Sequence, residues 1–417
     1  MIMKRKLIAQ MLTEWRTNVW LVIELLIVLV VMQFLFGILF QIYELHSAPK
    51  GYDVADTYMG YTELIDEDSP EYTPYTGNSS KFSDFEMLLA ELRNNPYVES
   101  AGVAGSNSTP YSLGYHGNTL CIEDEDTTYM ISINRRELSP EQIRIMRMEG
   151  ANGETPDQLA QILERGEILL GAGERRYMWN PDEIDPNEIV GKNVFIGFGD
   201  TVYYHVGGVA STIRRSDYEP VKATVMYHGL TPGKYYENLM IRVKPGMADK
   251  FEESIESGRR QFGNVSLYKV VSLETMRERV NLEANQMIRN TTTSAFFLLL
   301  VIFLGFLGTF WFRTQQRAGE IAIRKVSGAT DSDIFRRFIG EGLVLLVIAA
   351  VLSVPFTAYL LRSELHSQLL DIEVSPSIYI AGAVGATVVM ALLIIAGIWA
   401  PARKAVKVDP AYALSDQ

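Results

Sequence analysis

Hydrophobic and polar positions divide this 417-residue chain into two kinds of sequence. Four stretches, 19–40, 293–312, 342–361 and 378–399, are apolar on all sides. Each is long enough to cross a bilayer, which takes about 20 residues. Residues 7–18 alternate at helical spacing and lead into the first stretch as an amphipathic helix at the interface. Between the first and second stretches the pattern is that of a water-exposed domain. Tyr52–Tyr58 reads as a strand, residues 60–80 as an acidic loop, Lys81–Asn94 as a helix with Phe85, Leu88 and Leu92 on one face, and Val98–Ala104 as a strand. A similar order returns at Leu239–Val243, Met247–Phe262 and Val265–Val271. Two β-α-β units so far apart can pair into one split, ferredoxin-like layer. The part between, about 108–235, is then an inserted subdomain, with short strands at Glu167–Leu170, Asn193–Gly197 and Tyr203–Val209.

Residues 272–290 contain no Gly or Pro and run without a breaker into the second apolar stretch. One helix over 272–312 is expected, about 60 Å long at 1.5 Å per residue. Its first half stands out of the lipid as a stalk, with Ser272 as N-cap. Residues 313–341 link the second and third stretches and carry Arg313, Arg317, Arg324, Lys325, Arg336 and Arg337. Ala318–Ser327 reads as a short amphipathic helix ended by Gly328, which takes the left-handed C′ conformation without a Cβ penalty. Thr330 with Asp333 then caps a new helix. Such a charged helix suits docking onto a partner, or lies in the headgroup layer. Glu24, inside the first stretch, either faces the bundle interior as a functional group or sits shallow and snorkels. Pro355 is expected to kink the third span. Small residues at Ala381, Gly382, Gly385 and Ala386 favour close helix packing in the fourth.

Charge orients this layout. Basic residues at Lys4, Arg5, Lys6 and Arg16, in the 313–341 link and at Arg403, Lys404 and Lys407 all fall on one side of four spans. By the positive-inside rule both termini and the link face the cytoplasm. Residues 41–290 carry 24 Lys/Arg against 39 Asp/Glu, so the overall charge of −12 belongs to the outer domain. That balance excludes a nucleic-acid partner, which needs a basic face. The first span exceeds a signal-peptide core and no small-residue cleavage site follows it, so an anchor is expected. The domain boundaries expected are 1–18, 19–40, 41–271, 272–312, 313–341, 342–361, a short outer loop at 362–377, 378–399 and a tail at 400–417. The fold class is thus a four-span α-helical membrane protein with a large α+β extracytoplasmic domain.

Catalytic chemistry is missing from the sequence. No Gly-x-x-x-x-Gly-Lys-Ser/Thr loop occurs, so ATP is not bound through a P-loop. The five histidines are scattered, the run Glu123–Asp126 lacks the spacing of a calcium loop, and the single Cys121 can form no internal disulfide.

Arg317, Glu320-Ile-Ala-Ile-Arg-Lys325, Gly328-Ala329 and the C-terminal Asp409-Pro-Ala-Tyr-Ala-Leu414 resemble the FtsX-like domain of MacB-type ABC-transporter permeases. Gly166-Glu-Ile-Leu-Leu170, Val190-Gly-Lys192 and Tyr204-His-Val-Gly-Gly-Val209 resemble that family's periplasmic core. The resemblance implies an inner-membrane permease subunit with no catalytic residue and no cofactor or metal of its own. ATP and Mg²⁺ would be bound by a separate cytoplasmic ABC ATPase, since this chain shows no ATPase ahead of its first span. Arg317, Glu320, Ile321, Arg324, Lys325, Gly328 and Ala329 would form the coupling helix that touches it. Further partners implied are a second permease copy or paralogue, membrane lipids, and a periplasmic adaptor or outer-membrane channel. The function implied is mechanotransmission for export or extraction of a substrate. The alternative is a regulatory subunit that activates a periplasmic hydrolase or senses an envelope ligand.

Overall fold

The computed structural model describes residues 15–105, 109–112, 116–124, 127–171, 185–197, 202–219, 223–229, 235–258, 260–316, 318–362 and 376–406. The C-terminal hexapeptide, Arg317 and most of the expected N-terminal interfacial helix and outer loop lie outside these residues. The chain forms two compact units, residues 1–44 with 285–417, and residues 45–284.

The first unit is helical. Its elements are α1 (Trp15–Ser47), α8 (Leu282–Gln316), α9 (Ala318–Val326), α10 (Asp331–Arg362) and α11 (Pro376–Val406). Four helical segments are long and apolar enough to cross a membrane: Val19–Ser47, Leu282–Thr309, Asp331–Tyr359 and Ser377–Trp399. Leu29 and Met32 of α1, Ile302 of α8, Leu345 of α10 and Met390 of α11 share one core. Many other apolar side chains, such as Phe296, Val351 and Val384, stay exposed, as lipid-facing positions do. Among polar groups, the Thr357 hydroxyl donates to Gln33 Oε1 at 2.6 Å, and both side chains are buried. Such a pair satisfies two groups that would each be costly alone in an apolar medium. Glu24 is half-buried on α1. Pro355 lies within α10.

The small residues of α11 do allow close approach. A Cβ at Gly382 would lie 2.8 Å from the Gly37 backbone nitrogen and 3.2 Å from the Gln33 carbonyl oxygen. A Cβ at Gly385 would meet only the rings of Phe36 and Phe40, at 3.2 Å.

The second unit is α+β. Its first layer holds β1 (Thr57–Leu64), α2 (Lys81–Asn94), β2 (Val98–Val103), β9 (Asn238–Val243), α6 (Ala248–Ser257), β10 (Gln261–Phe262), β11 (Val265–Ser272) and α7 (Leu273–Val280). The sheet order is β10-β11-β1-β9-β2, antiparallel at every pairing. The four long strands therefore have the split ferredoxin-like order. Ser80 caps α2 with a reciprocal box through Ser83, and Phe85, Leu88 and Leu92 share a core with Leu239 and Ile241 of β9 and Phe251 of α6.

β1 occupies 57–64 rather than the expected 52–58. Gly60, which suggested a loop, sits inside the strand opposite Val270 and Leu239. A Cβ there would lie 3.2 Å from Leu267 and 3.4 Å from Leu239, so close strand packing uses the glycine.

The inserted part contains β3 (His116–Asp124), β4 (Thr127–Glu137), α3 (Pro140–Ile145), α4 (Pro156–Glu164), β5 (Ile168–Gly171), α5 (Pro186–Ile189), β6 (Asn193–Ile196), β7 (Tyr203–Ala210) and β8 (Thr224–Tyr227). Six strands close into a barrel in the order β3-β4-β8-β5-β7-β6. Its interior is filled by β-branched and leucine side chains, among them Ile131, Ile168, Val194, Val206 and Val225, so it is a packed core rather than a channel. Arg242 of β9 joins sheet and insert. Its guanidinium donates to Ile145 O at 2.6 Å, Asp53 O at 2.7 Å and Asp53 Oδ2 at 2.9 Å.

The single helix expected over 272–312 is two. α7 ends at Val280, Asn281 is its C-cap, and α8 begins at Leu282. Ser272 caps α7 by accepting from Thr275 N at 3.1 Å.

Gly382→Ala should destabilise the helical unit by about 1–3 kcal/mol, because the new methyl meets backbone that cannot turn aside. Gly385→Ala should stay within about 1 kcal/mol of wild type, since the phenyl rings can rotate and alanine favours the helix. Thermal unfolding in detergent compares the two; equal losses would contradict the packing described.

Candidate functional site

Two places in the structure gather the groups of interest. The first is the corner between α9 and α10. α9 is two-faced: Ile321 is buried in the helical core, while Ile323 and Val326 are 57 % and 69 % exposed. Gly328, at φ +91°, turns the chain. Gly328 N donates to Lys325 O and Ala329 N to Arg324 O, both at 3.0 Å. This is the Schellman pattern that satisfies the last carbonyls of a helix. Ala329 packs against the same core as Ile321. Thr330 Oγ1 then accepts from Asp333 N at 3.3 Å, and Asp333 Oδ2 accepts from Thr330 N at 3.1 Å. The Thr330 hydroxyl also donates to Asp333 Oδ2 at 2.6 Å. Lys325 pairs with Asp331 at 3.0 Å across the turn. Two helices are thus locked at one rigid corner.

The residues expected at this corner fall into distinct places. Ile321 and Ala329 face the core and hold α9 down. Arg324 and Lys325 are half-exposed. Gly328 forms the turn. Glu320 belongs to α9, with its side chain outside the described residues, as is Arg317. The exposed apolar groups of α9 are Ile323 and Val326, which belong to the amphipathic pattern of the sequence.

The second place is Asp217, in the loop after β7. Its side chain is 2 % exposed. Lys50 Nζ lies 2.7 Å from Oδ1, and the Tyr111 hydroxyl donates to the same oxygen at 2.9 Å. Arg277 Nε at 2.6 Å and Asn281 Nδ2 at 2.9 Å donate to Oδ2. Asn281 Oδ1 accepts in return from Asp217 N at 3.1 Å and from Ser216 Oγ at 2.9 Å. Burial opposes ionisation of Asp217 most strongly. Hydrogen bonds from Lys50, Arg277 and Tyr111 outweigh it and hold the carboxyl at about 2. Burial first, and the charge of Asp217 with it, pushes the Tyr111 hydroxyl upward, so it stays a donor. Tyr111 holds φ +61°, a conformation that costs a non-glycine residue about 1–3 kcal/mol. The surrounding contacts offset that cost.

The same loop grips the start of the unit. Buried Arg214 donates to Leu45 O at 3.0 Å and Pro49 O at 3.3 Å, and Tyr218 stacks on His46 at 5.3 Å. α1 ends at Ser47 and α8 begins at Leu282. The chain therefore enters and leaves the α+β unit through residues bonded to one short loop. Asn281 spends its side chain on this loop, and the helix breaks there.

None of the Asp217 partners was singled out from sequence. They come from three segments far apart in the chain: Lys50 and Tyr111 from irregular stretches, and Arg277 and Asn281 from α7 and its C-cap. The sole local hint is Asn281, a poor helix former inside a run of good ones.

Comparison with known proteins finds a family match within the first unit. Residues 292–410 match the model of the FtsX-like permease C-terminal family. The C-terminal part of the chain is an FtsX-like permease domain. It contains most of α8 and all of α9, α10 and α11. The macrolide export ATP-binding/permease protein MacB of Shewanella oneidensis is 23 % identical over 285 residues, 65 % of this chain and 40 % of the relative. The pyoverdine export ATP-binding/permease protein PvdT of Pseudomonas syringae pv. tomato is 29 % identical over 122 residues, 28 % of this chain and 17 % of the relative. The chain thus spans 40 % or less of the length of these curated relatives. The extracellular domain of the noncanonic ABC-type transporter YknZ, from Gram-positive bacteria, aligns over 51 % of this chain and 100 % of its own at 10 % identity, with a TM-score of 0.29.

Asp217→Asn keeps the shape of the site but leaves Lys50 without its counter-charge and Arg277 with Glu274 alone, at 3.2 Å. A loss of about 2 kcal/mol in the stability of the α+β unit is expected, read by chemical denaturation of the full chain. The sign of the pH dependence follows from the lowered carboxyl value. Stability from Asp217 is complete above about pH 4 and is lost as pH falls towards about 2, amounting to about 2 kcal/mol. Asp217→Asn should flatten the acid limb over that window; an unchanged limb would show that the charge contributes nothing.

Proposed function

We propose that this chain is the permease subunit of a MacB-type ABC transporter, turning ATP-driven motion of a cytosolic ATPase into movement of an extracytoplasmic α+β unit. The FtsX-like permease domain and the export relatives support the class. ATP and Mg²⁺ are proposed to be bound by an ABC ATPase and not by the described residues. The basic 313–341 link and termini support a cytosolic orientation in the inner membrane. A second permease copy or paralogue, and at the outer side an adaptor or channel, complete the proposed assembly. Its action is proposed to be export or extraction of an envelope substrate.

The observation that carries the mechanism is the Asp217 cluster. A push delivered to α9 is carried by the rigid Gly328 corner into α10 and the bundle. α1 and α8 continue into residues bonded to the 211–219 loop, so movement of either helix is passed to the α+β unit through short, charge-assisted bonds rather than a slack linker. No chemistry is asked of this chain. It acts as a lever, and its needs are stiffness and anchored ends.

The test uses full-length chain purified from its native membrane with its associated ATPase activity. Ile323→Glu with Val326→Glu should lower the co-purifying ATPase activity at least about tenfold, the effect of losing roughly 1.4 kcal/mol or more of contact. The α+β unit should keep its unfolding profile. Asp217→Asn should instead leave ATPase binding intact and reduce transport. Full ATPase recovery with both glutamates in place would remove α9 from the contact.

A further inference from the structure

The two edges of the five-stranded sheet are treated differently. At the β2 edge, Arg93 Nε donates to Ala101 O at 2.9 Å and Ser139 Oγ to Val103 O at 2.6 Å. Those carbonyls are consumed by side chains, as protected edges require. At the other edge, β10 covers only the first residues of β11: Gln261 pairs with Ser266 and Phe262 with Val265, and Leu267 N reaches Arg260 O at 2.8 Å. From Lys269 to Ser272, β11 is paired with β1 alone among the described residues, and Tyr268, where the register shifts, is a bulge between Leu267 and Lys269. Alternate backbone N–H and C=O groups there point away from the sheet.

A cleft of about 430 Å³ runs along this open edge, within the size range of ligand sites. One wall is α6, with Phe251 and Ile255 as apolar groups and Glu252 and Glu256 as acids. Tyr58 donates to Glu252 at 2.9 Å and fixes it. The first turns of α7 form the other wall, through Thr275 and Arg279. Arg260 stands at the Leu267 end and Arg279 at the Ser272 end, because α7 follows β11 directly. Lys269, which would guard an exposed edge, is instead laid over the Tyr61 ring, its Nζ 5.5 Å from the centroid.

We propose that the open edge of β11 binds an extended polypeptide segment of a partner protein, which adds to the sheet as a further strand. Five or six residues at about 3.3 Å each span the edge. Main-chain hydrogen bonds supply the affinity, and alternate side chains read the walls. Apolar side chains fit beside Phe251 and Ile255. A basic side chain fits beside Glu252 and Glu256, and acidic ones fit the arginine at each end. The edge is recessed between two helices, so a single strand enters more readily than the edge of a second folded copy. The proposal stands independently of the transporter reading, since it rests on the sheet alone.

The probe is a fluorescein-labelled peptide of roughly eight residues that alternates valine with charged residues, lysine in the middle and glutamate at both ends. It is titrated onto the full-length chain in nanodiscs and followed by anisotropy. Saturable binding is expected. N-methylation of one alternating set of peptide amides should weaken it at least about tenfold, and of the other set less than about twofold, because only one edge of the peptide faces β11. Exchanging the lysine and glutamate positions should also weaken it. Ile255→Trp, which fills the cleft from its wall, should weaken binding at least about tenfold while leaving thermal unfolding unchanged. No saturable binding, equal effects of both methylation patterns, or binding indifferent to Ile255→Trp overturns the proposal. A second copy as the true occupant would show as inter-chain cross-linking through Glu256→Cys that the probe does not reduce, and this also overturns it. The native Cys121 is buried, so the introduced thiol reports alone.

Discussion

A carboxylate closed off from water with four donors around it is the constraint on which the α+β unit depends. Asp217 loses its hydration on folding, and an isolated buried charge would be prohibitive. Lys50, Tyr111, Arg277 and Asn281 replace that hydration with two donors on each oxygen. The arrangement is all or none, because removing a donor leaves the remaining charges buried and mismatched. Its geometry explains features that look unrelated: the left-handed Tyr111, the helix break at Asn281, and the buried Arg214 that holds Leu45 and Pro49. Each is a local cost accepted so that one loop can hold both ends of the unit's chain.

The α9–α10 corner follows a different principle. It is held by short-range bonds: the Gly328 turn, the Schellman carbonyls and the reciprocal pair of Thr330 and Asp333. Ile321 and Ala329 fasten it to the helical core, and this leaves Ile323 and Val326 outside. A helix that buries one apolar residue and exposes two others is stable only if its attachment does not depend on the exposed ones. In the proposed lever, that separation lets the contact surface be loaded without loosening the corner.

The sheet adds a contrast between its edges. Side chains of Arg93 and Ser139 close β2, while β11 runs past its short partner beside a cleft. In the barrel no such question arises, because closure pairs every strand on both sides. The insert is therefore finished as a fold, and the ferredoxin-like layer retains one place where a backbone can still be added.

Sequence alone determined the elements whose cause is local. Four apolar stretches, the turn at Gly328, the caps at Ser272 and Thr330, and the repeated β-α-β order are written in neighbouring residues, and hydrophobic period and cap chemistry suffice to read them. Small residues in α11 foretold close packing, although only the structure shows that Gly37 is the partner. Tertiary structure decided the rest. β1 lies at 57–64 because Gly60 is needed between Leu239 and Leu267. The six strands of the insert close because non-consecutive strands meet, with β4 beside β8 and β5 beside β7. The expected rod from 272 to 312 is divided at Asn281, whose side chain bonds to Asp217. In each case the deciding contact joins residues scores of positions apart, and no local pattern carries the free energy of a contact that exists only once the chain has folded.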